Sequence, residues 1–156
     1  MTPPPDHALA RDRALGSDLV TYAARLVRAV RQQLPQGPGA RILSILDQHG
    51  ALSVTALAGI DRCSQPTMSV AVRQLEEQGQ VSRVAHPDDA RSTLVHLTDG
   101  GRAELARVRE ANGRMVAERL TGSTTHTTED LRTAVALLRD LLDAPASPTD
   151  PGGASP

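Results

Sequence analysis

The 156-residue sequence contains no Lys, no Trp and no Phe, and it has one Tyr and one Cys. With Tyr22 the lone aromatic side chain, base stacking of the kind used by many RNA and single-strand binders has almost nothing to work with. A single thiol, Cys63, excludes an internal disulfide and cannot by itself form a cysteine-based zinc site. No uninterrupted apolar run approaches the ~18 residues of a membrane helix, so no membrane partner is expected. The opening MTPPPDHALARDR lacks a basic stretch followed by an apolar one, the pattern of a secretory signal, and the cytoplasm is the expected location. A net charge of −1 withholds the global basic character that would announce nucleic-acid binding on its own. Gly-rich phosphate loops, paired acid and base groups and nucleophile motifs are also missing. An enzyme is therefore not expected, nor a cofactor.

What is present is globular: 39% apolar and 22% charged residues place the chain among folded domains, and its length suits one. All 17 cations are Arg, the residue suited to bidentate contacts with guanine or phosphate. A chain rich in Ala and Arg is also what GC-rich coding produces, so arginine usage alone carries little weight. The ends differ from the middle. MTPPPD at the front and APASPTDPGGASP from Ala144 onward are rich in Pro, Gly, Ser and Thr and cannot repay ordering entropy by burying apolar surface. Residues 1–8 and 144–156 are expected to be disordered tails around a single domain, 9–143.

Within that domain the period of the apolar residues changes from helix to strand and back. Leu15, Leu19, Tyr22, Leu26 and Val30 recur at steps of three and four between Ala14 and Leu34, the stripe of an amphipathic helix that Pro35 and Gly37 stop. Pro38 opens a second helix that buries Ile42, Leu43 and Leu46 and ends at Gly50. Ser53 caps a third, which buries Leu57 and Ala58. Ser64 caps a fourth, with Pro66 in its first turn, Met68, Ala71, Val72 and Leu75 facing inward, and Gly79 closing it. Alternation with a period of two then marks strands over 81–86 and 93–98, with HPDDARS between them as a polar hairpin tip. A long helix resumes at Gly101 with Leu105, Val108, Ala111, Met115 and Leu120 inward, and Asn112-Gly113 predicts a kink within it. Thr127 caps the last helix, which carries two rows, Leu131, Val135, Leu138, Leu142 and Ala134, Leu137, Leu141. Two rows exceed what one supporting face covers, so the terminal helices are expected to pack against a second copy in an obligate homodimer.

Helix, helix, helix and charged hairpin in that order make a winged helix-turn-helix. The fold class is thus mainly α with a small β-hairpin wing: residues 37–100 form the winged unit, flanked by dimerisation helices over 9–36 and 101–143. Such a unit offers the N-terminal half of its second helix to the DNA major groove, where short polar side chains reach base edges. Ser64, Gln65, Pro66, Thr67 and Ser69 occupy that half, with Val70 and Arg73 further along. By themselves they are equally readable as the solvated face of an ordinary capped helix; the wing that follows tips the balance toward DNA.

From about residue 15 to 143 the sequence resembles the MarR family of bacterial transcriptional regulators. The resemblance is carried by LSVTALAGIDRCSQPTMSVAVRQLEEQGQVSRVAHPDDARSTLVHLTDGG, and most specifically by DDARSTLVHLTDGG. That piece looks like the family's wing signature, with Asp89 and Arg91 on its charged pair and Leu97, Thr98 and Gly101 on the strand end and the turn into the next helix. The resemblance implies a homodimeric regulator, most often a repressor, that binds double-stranded DNA at a pseudo-palindrome. It also implies a small-molecule effector pocket between the dimerisation helices and the winged unit; with so few aromatics its lining is expected to be aliphatic, with Tyr22, Leu26 and Ile42 the candidates. Arg91 at a hairpin tip is placed to enter the minor groove, with Asp89 orienting it; as a bare surface ion pair the two would contribute little. The chain departs from the family where Arg62 stands in place of the usual Gly, Cys63 in place of a small aliphatic residue, and Val70 at an often basic position. A winged module used only for protein contacts is the alternative, and salt-sensitive binding to DNA discriminates the two.

Two further constellations have plainer readings. Some family members sense peroxide through cysteines in the first helix, but Cys63 replaces a core aliphatic residue and reads as a small hydrophobe. His86, Asp88, Asp89 and His96 lack the tight spacing of metal ligands, and strand alternation scatters them, so no metal is expected.

Overall fold

The computed structural model describes residues 5–34, 37, 39–86, 89–122 and 125–144, with side chains for all of these except 5–9, 86 and 89–92. Among the described residues six helices and one hairpin follow in the order α1 (Pro5–Gln33), α2 (Gly39–His49), α3 (Val54–Asp61), α4 (Gln65–Glu77), β1 (Val81–His86), β2 (Asp89–Leu97), α5 (Asp99–Thr121) and α6 (Thr128–Asp143). This is the expected mainly helical fold with a small β-hairpin wing. Two compact units partition the chain within α5, Met1–Met115 and Val116–Pro156, where the sequence leads one to expect a single domain.

In the first unit the core is built by α2, α3, α4 and the hairpin. Ile42, Leu43, Ile45 and Leu46 of α2 pack with Leu57 and Ala58 of α3, Met68, Val72 and Leu75 of α4, and Val81, Val95 and Leu97 of the strands. Leu105 of α5 completes it. Spacings of three and four put the helical members on one stripe each, which is why three helices of 8 to 13 residues, marginal alone, hold their shape together.

The termini of these helices are fixed locally. Ser53 Oγ accepts from the Ala56 N–H at 3.1 Å, and Ser64 Oγ from the Thr67 N–H at 3.3 Å, each satisfying one orphan donor of a first helical turn. Gly50 and Gly79 end α2 and α4 with φ of +77° and +69°, a region open to glycine at no steric cost. The turn between α3 and α4 needs the same conformation, yet Arg62 adopts it, at φ 57° and ψ 41°. The strands pair antiparallel with Val81 opposite Leu97 and Ala85 opposite Thr93, and the register shifts between Ala85 and His86. A third segment joins β2 without a signal in the sequence: Leu52 exchanges both backbone hydrogen bonds with Val95, at 3.0 and 2.8 Å.

One helix bound differs from expectation. α1 begins at Pro5, so residues 5–8 of the expected tail are helical, with proline at a first-turn position where its missing N–H costs nothing. Residues 1–4 and the expected tail from 145 lie outside the described residues. α5 stays helical through Asn112-Gly113, since one mid-helix glycine weakens a helix by about 1 kcal/mol without breaking it. Only Val30 of the α1 stripe is buried; Leu15, Tyr22 and Leu26 are exposed. In the second unit α6 starts on a reciprocal cap, Thr127 Oγ1 accepting from the Asp130 N–H at 3.3 Å while Asp130 Oδ2 accepts from the Thr127 N–H at 2.7 Å. Hydrogen bonding from the Thr127 backbone, and then from its hydroxyl, holds the Asp130 carboxyl below its ordinary range. Val135, Leu137, Leu138, Leu141 and Leu142 of α6 are all exposed, Leu142 at 84%.

Candidate nucleic-acid interface

Helix α4 has two faces of opposite character. Met68, Val72 and Leu75 are buried, which turns Pro66, Thr67, Val70, Arg73 and Gln74 outward. Gln65 also lies exposed in the first turn, while Ser69 is half-buried at the margin. The Ser64 and Thr67 hydroxyls lie 2.7 Å apart and bond each other, so the cap already uses part of their capacity and Gln65 is the least committed polar side chain of the first turn. Arg73 Nε donates to Glu77 at 3.0 Å; this exposed pair is weak and exchangeable for a phosphate. Val70, 60% exposed, puts an apolar surface in the middle of this outward face.

The wing is anchored to α4 and α5 by contacts that explain the Leu-Thr and Gly of its signature. The Thr98 hydroxyl donates to the Gly79 carbonyl at 2.6 Å and accepts from the Gly101 N–H at 3.1 Å, while the Thr98 N–H donates to the Gln80 carbonyl at 3.2 Å. One residue thereby ties the end of β2 to the turn after α4 and to the first turn of α5. Arg83 Nε reaches Glu76 at 3.1 Å and links β1 directly to α4; nothing in the periodicity signals this pair, which is seven residues apart in sequence. Asp89 and Arg91 lie on β2, and their side chains are outside the described residues.

The remaining candidates fall elsewhere. Cys63 is half-buried and packs against the core cluster. His96 spans the hairpin, with Nε2 2.9 Å from Ser82 Oγ and Nδ1 3.1 Å from the Leu97 carbonyl, a structural use of both ring nitrogens. His86, Asp88 and Asp89 have no described side chains, and among the described residues no group of three potential metal ligands forms.

The three effector-pocket candidates are not brought together: Ile42 is inside the core, whereas Tyr22 and Leu26 are exposed on α1, Tyr22 with the Arg25 guanidinium 5.6 Å from its ring centroid. A cavity of about 420 Å³ opens instead against α4, lined among others by Gln74, Leu75, Gln78, Glu104, Arg107 and Val108. Its lining is mixed rather than aliphatic. Arg107 grips Glu104 bidentately at 2.7 and 2.8 Å, and that hydrogen bonding keeps the Glu104 carboxyl below its ordinary range. Periodicity misses the cavity because residues from four separate segments line it.

An exposed, serine-capped second helix, pinned to a hairpin at its C-terminal end, defines the class: a winged helix-turn-helix DNA-binding protein. The family model of MarR matches residues 38–93. An HTH-type transcriptional regulator of Mycobacterium tuberculosis is 32% identical over 139 residues, covering 86% of this chain and 97% of that protein. One from Mycobacterium leprae matches to the same extent. Among solved structures, the multiple antibiotic resistance repressor MarR superposes with a TM-score of 0.66 at 21% identity, over 82% of this chain and 94% of the other. A MarR family protein from Bacillus stearothermophilus superposes at 0.59 with 20% identity, over 90% and 96%. The chain belongs to the MarR family of transcriptional regulators. Its relatives are regulators rather than enzymes, and membership implies DNA binding.

Proposed function

We infer that the chain acts in the cytoplasm as a homodimeric repressor that reads a pseudo-palindromic operator and is released from it by a small molecule. The observation that carries this reading is the outward face of α4, where Gln65, Thr67 and Val70 stand exposed over a fully buried inner stripe. In this account Ser64, Gln65, Pro66, Thr67, Ser69, Val70 and Arg73 meet the major groove, Asp89 and Arg91 act at the wing, and residues 37–100 form the DNA-binding unit. Val70 supplies apolar contact of the kind a thymine methyl accepts. Dimerisation falls to residues 9–36 and 101–143, and the exposed apolar residues on α1 and, separately, those on α6 support it, since apolar patches are seldom left in water. An effector in the cavity behind α4 weakens DNA binding only as far as it prefers the non-binding geometry.

Fluorescence anisotropy with the DNA upstream of the protein's own gene tests the reading. Saturable, salt-sensitive binding that exceeds binding to unrelated duplex is expected. Equal affinity for both, or none for either, contradicts it and favours a module for protein contacts.

A further inference from the structure

Arg62 stands out in three independent respects. It is the one described non-glycine residue with positive φ, a conformation that disfavours side chains with a Cβ. It is exposed, two residues before the Ser64 cap of α4. Among the described residues its guanidinium also has no acidic partner, whereas the other described arginine side chains between residues 37 and 98 all do: Arg41 pairs with Asp61, Arg73 with Glu77 and Arg83 with Glu76. The turn itself makes no use of the Arg62 side chain, because backbone bonds hold it, from the Arg62 N–H to the Gly59 carbonyl at 3.3 Å and from the Cys63 N–H to the Ala58 carbonyl at 3.1 Å. A glycine would form the same turn with less strain.

We propose that Arg62 is a phosphate-contacting residue, which clamps the DNA backbone from the helix-turn-helix turn while the first turn of α4 lies in the groove. The inference rests on the DNA-binding reading above and adds a contact from outside the recognition helix and the wing. Arginine suits such a contact because it is charged at all relevant pH and offers forked donors to phosphate. As a phosphate contact it adds affinity for any duplex and no discrimination between sequences.

The test uses the full chain and a short mixed-sequence duplex titrated by anisotropy between about 50 and 200 mM salt. Arg62→Gly removes the cation and relieves the turn, so Tm is expected to rise by about 2–4 °C while DNA affinity falls. A merely structural role would move both in the same direction. With one phosphate contact per protomer in a dimer, the slope of log affinity against log salt is expected to become shallower by about 1.8, so the deficit at 50 mM exceeds that at 200 mM roughly tenfold. Arg62→Lys keeps the charge and retains most of the slope. An Arg62→Gly protein with wild-type affinity and slope overturns the assignment and leaves the DNA-binding reading standing; a wild-type protein that binds no duplex overturns both.

Discussion

Two glycines of α5 predict opposite outcomes for one substitution. Gly113 lies at mid-helix with nothing else among the described residues, beyond its own helix backbone, within 4 Å of where a Cβ would sit, so Gly113→Ala gains only the helix propensity of alanine, about 1 kcal/mol. Gly101, buried in the first turn, has no such room: an added Cβ would overlap the Gln80 carbonyl oxygen and come within 3.0 Å of both the Gln80 carbonyl carbon and Leu97 Cδ2. Relief requires the Gln80 carbonyl to retreat, and that carbonyl accepts the Thr98 N–H at 3.2 Å. Overpacking of this kind costs roughly 1–3 kcal/mol and a weakened hydrogen bond about 1 more, against a propensity gain of at most about 1. Gly101→Ala is thus expected to destabilise by about 1–3 kcal/mol. Urea unfolding followed by far-UV circular dichroism, at one fixed protomer concentration because association shifts apparent stability, reads both. With m near 2 kcal/mol/M, the midpoint should fall by about 0.5–1.5 M for Gly101→Ala and rise by about 0.5 M for Gly113→Ala. Midpoints that move in the same direction would refute the close approach of α5 to the foot of the wing.

Gln65→Ala is expected to cost about 1–3 kcal/mol on the cognate site and little on unrelated duplex, whereas Arg91→Ala should weaken both alike and flatten the salt dependence by roughly one ion per protomer; titrations on two duplexes separate these patterns. Removal of residues from 127 onward should leave monomer or aggregate by sedimentation and abolish operator binding, and a soluble truncated protein of undiminished affinity would count against α6 as a dimerisation element. The Asp130 carboxyl sits below its ordinary range because Thr127 hydrogen-bonds its charged form, so its stabilising effect is present in full above the ordinary carboxylate range and is lost as pH falls through the depressed value. Asp130→Asn should accordingly lower stability at neutral pH and make no difference in strong acid, as read by urea midpoints at the two pH values.

What could be read from the sequence were the features encoded within one turn of helix or one pair of strands. Ser53, Ser64 and Thr127 announce their caps, Met68, Val72 and Leu75 their buried stripe, and residues 81–86 and 93–98 their strands by alternation, because each signal depends on spacing along the chain. Features that depend on which segments meet were not legible. The Leu52 rung, the Arg83 to Glu76 pair and the exclusion of a Cβ at Gly101 join residues whose separation carries no period. Nor does spacing encode an effector site: Ile42 lies in the core while Tyr22 and Leu26 are exposed on α1. The αL conformation of Arg62 falls between these cases, since the position of the turn was legible and the conformation forced on its residue was not.

Hydroxyl-radical footprinting on the DNA upstream of the gene tests the central claim most directly. A two-fold protein that places one α4 in each of two successive major grooves predicts two symmetric protected half-sites centred about 34 Å, one helical turn, apart, with two chains bound per site. A single unpaired patch of protection, or uniform protection without symmetry, would contradict it.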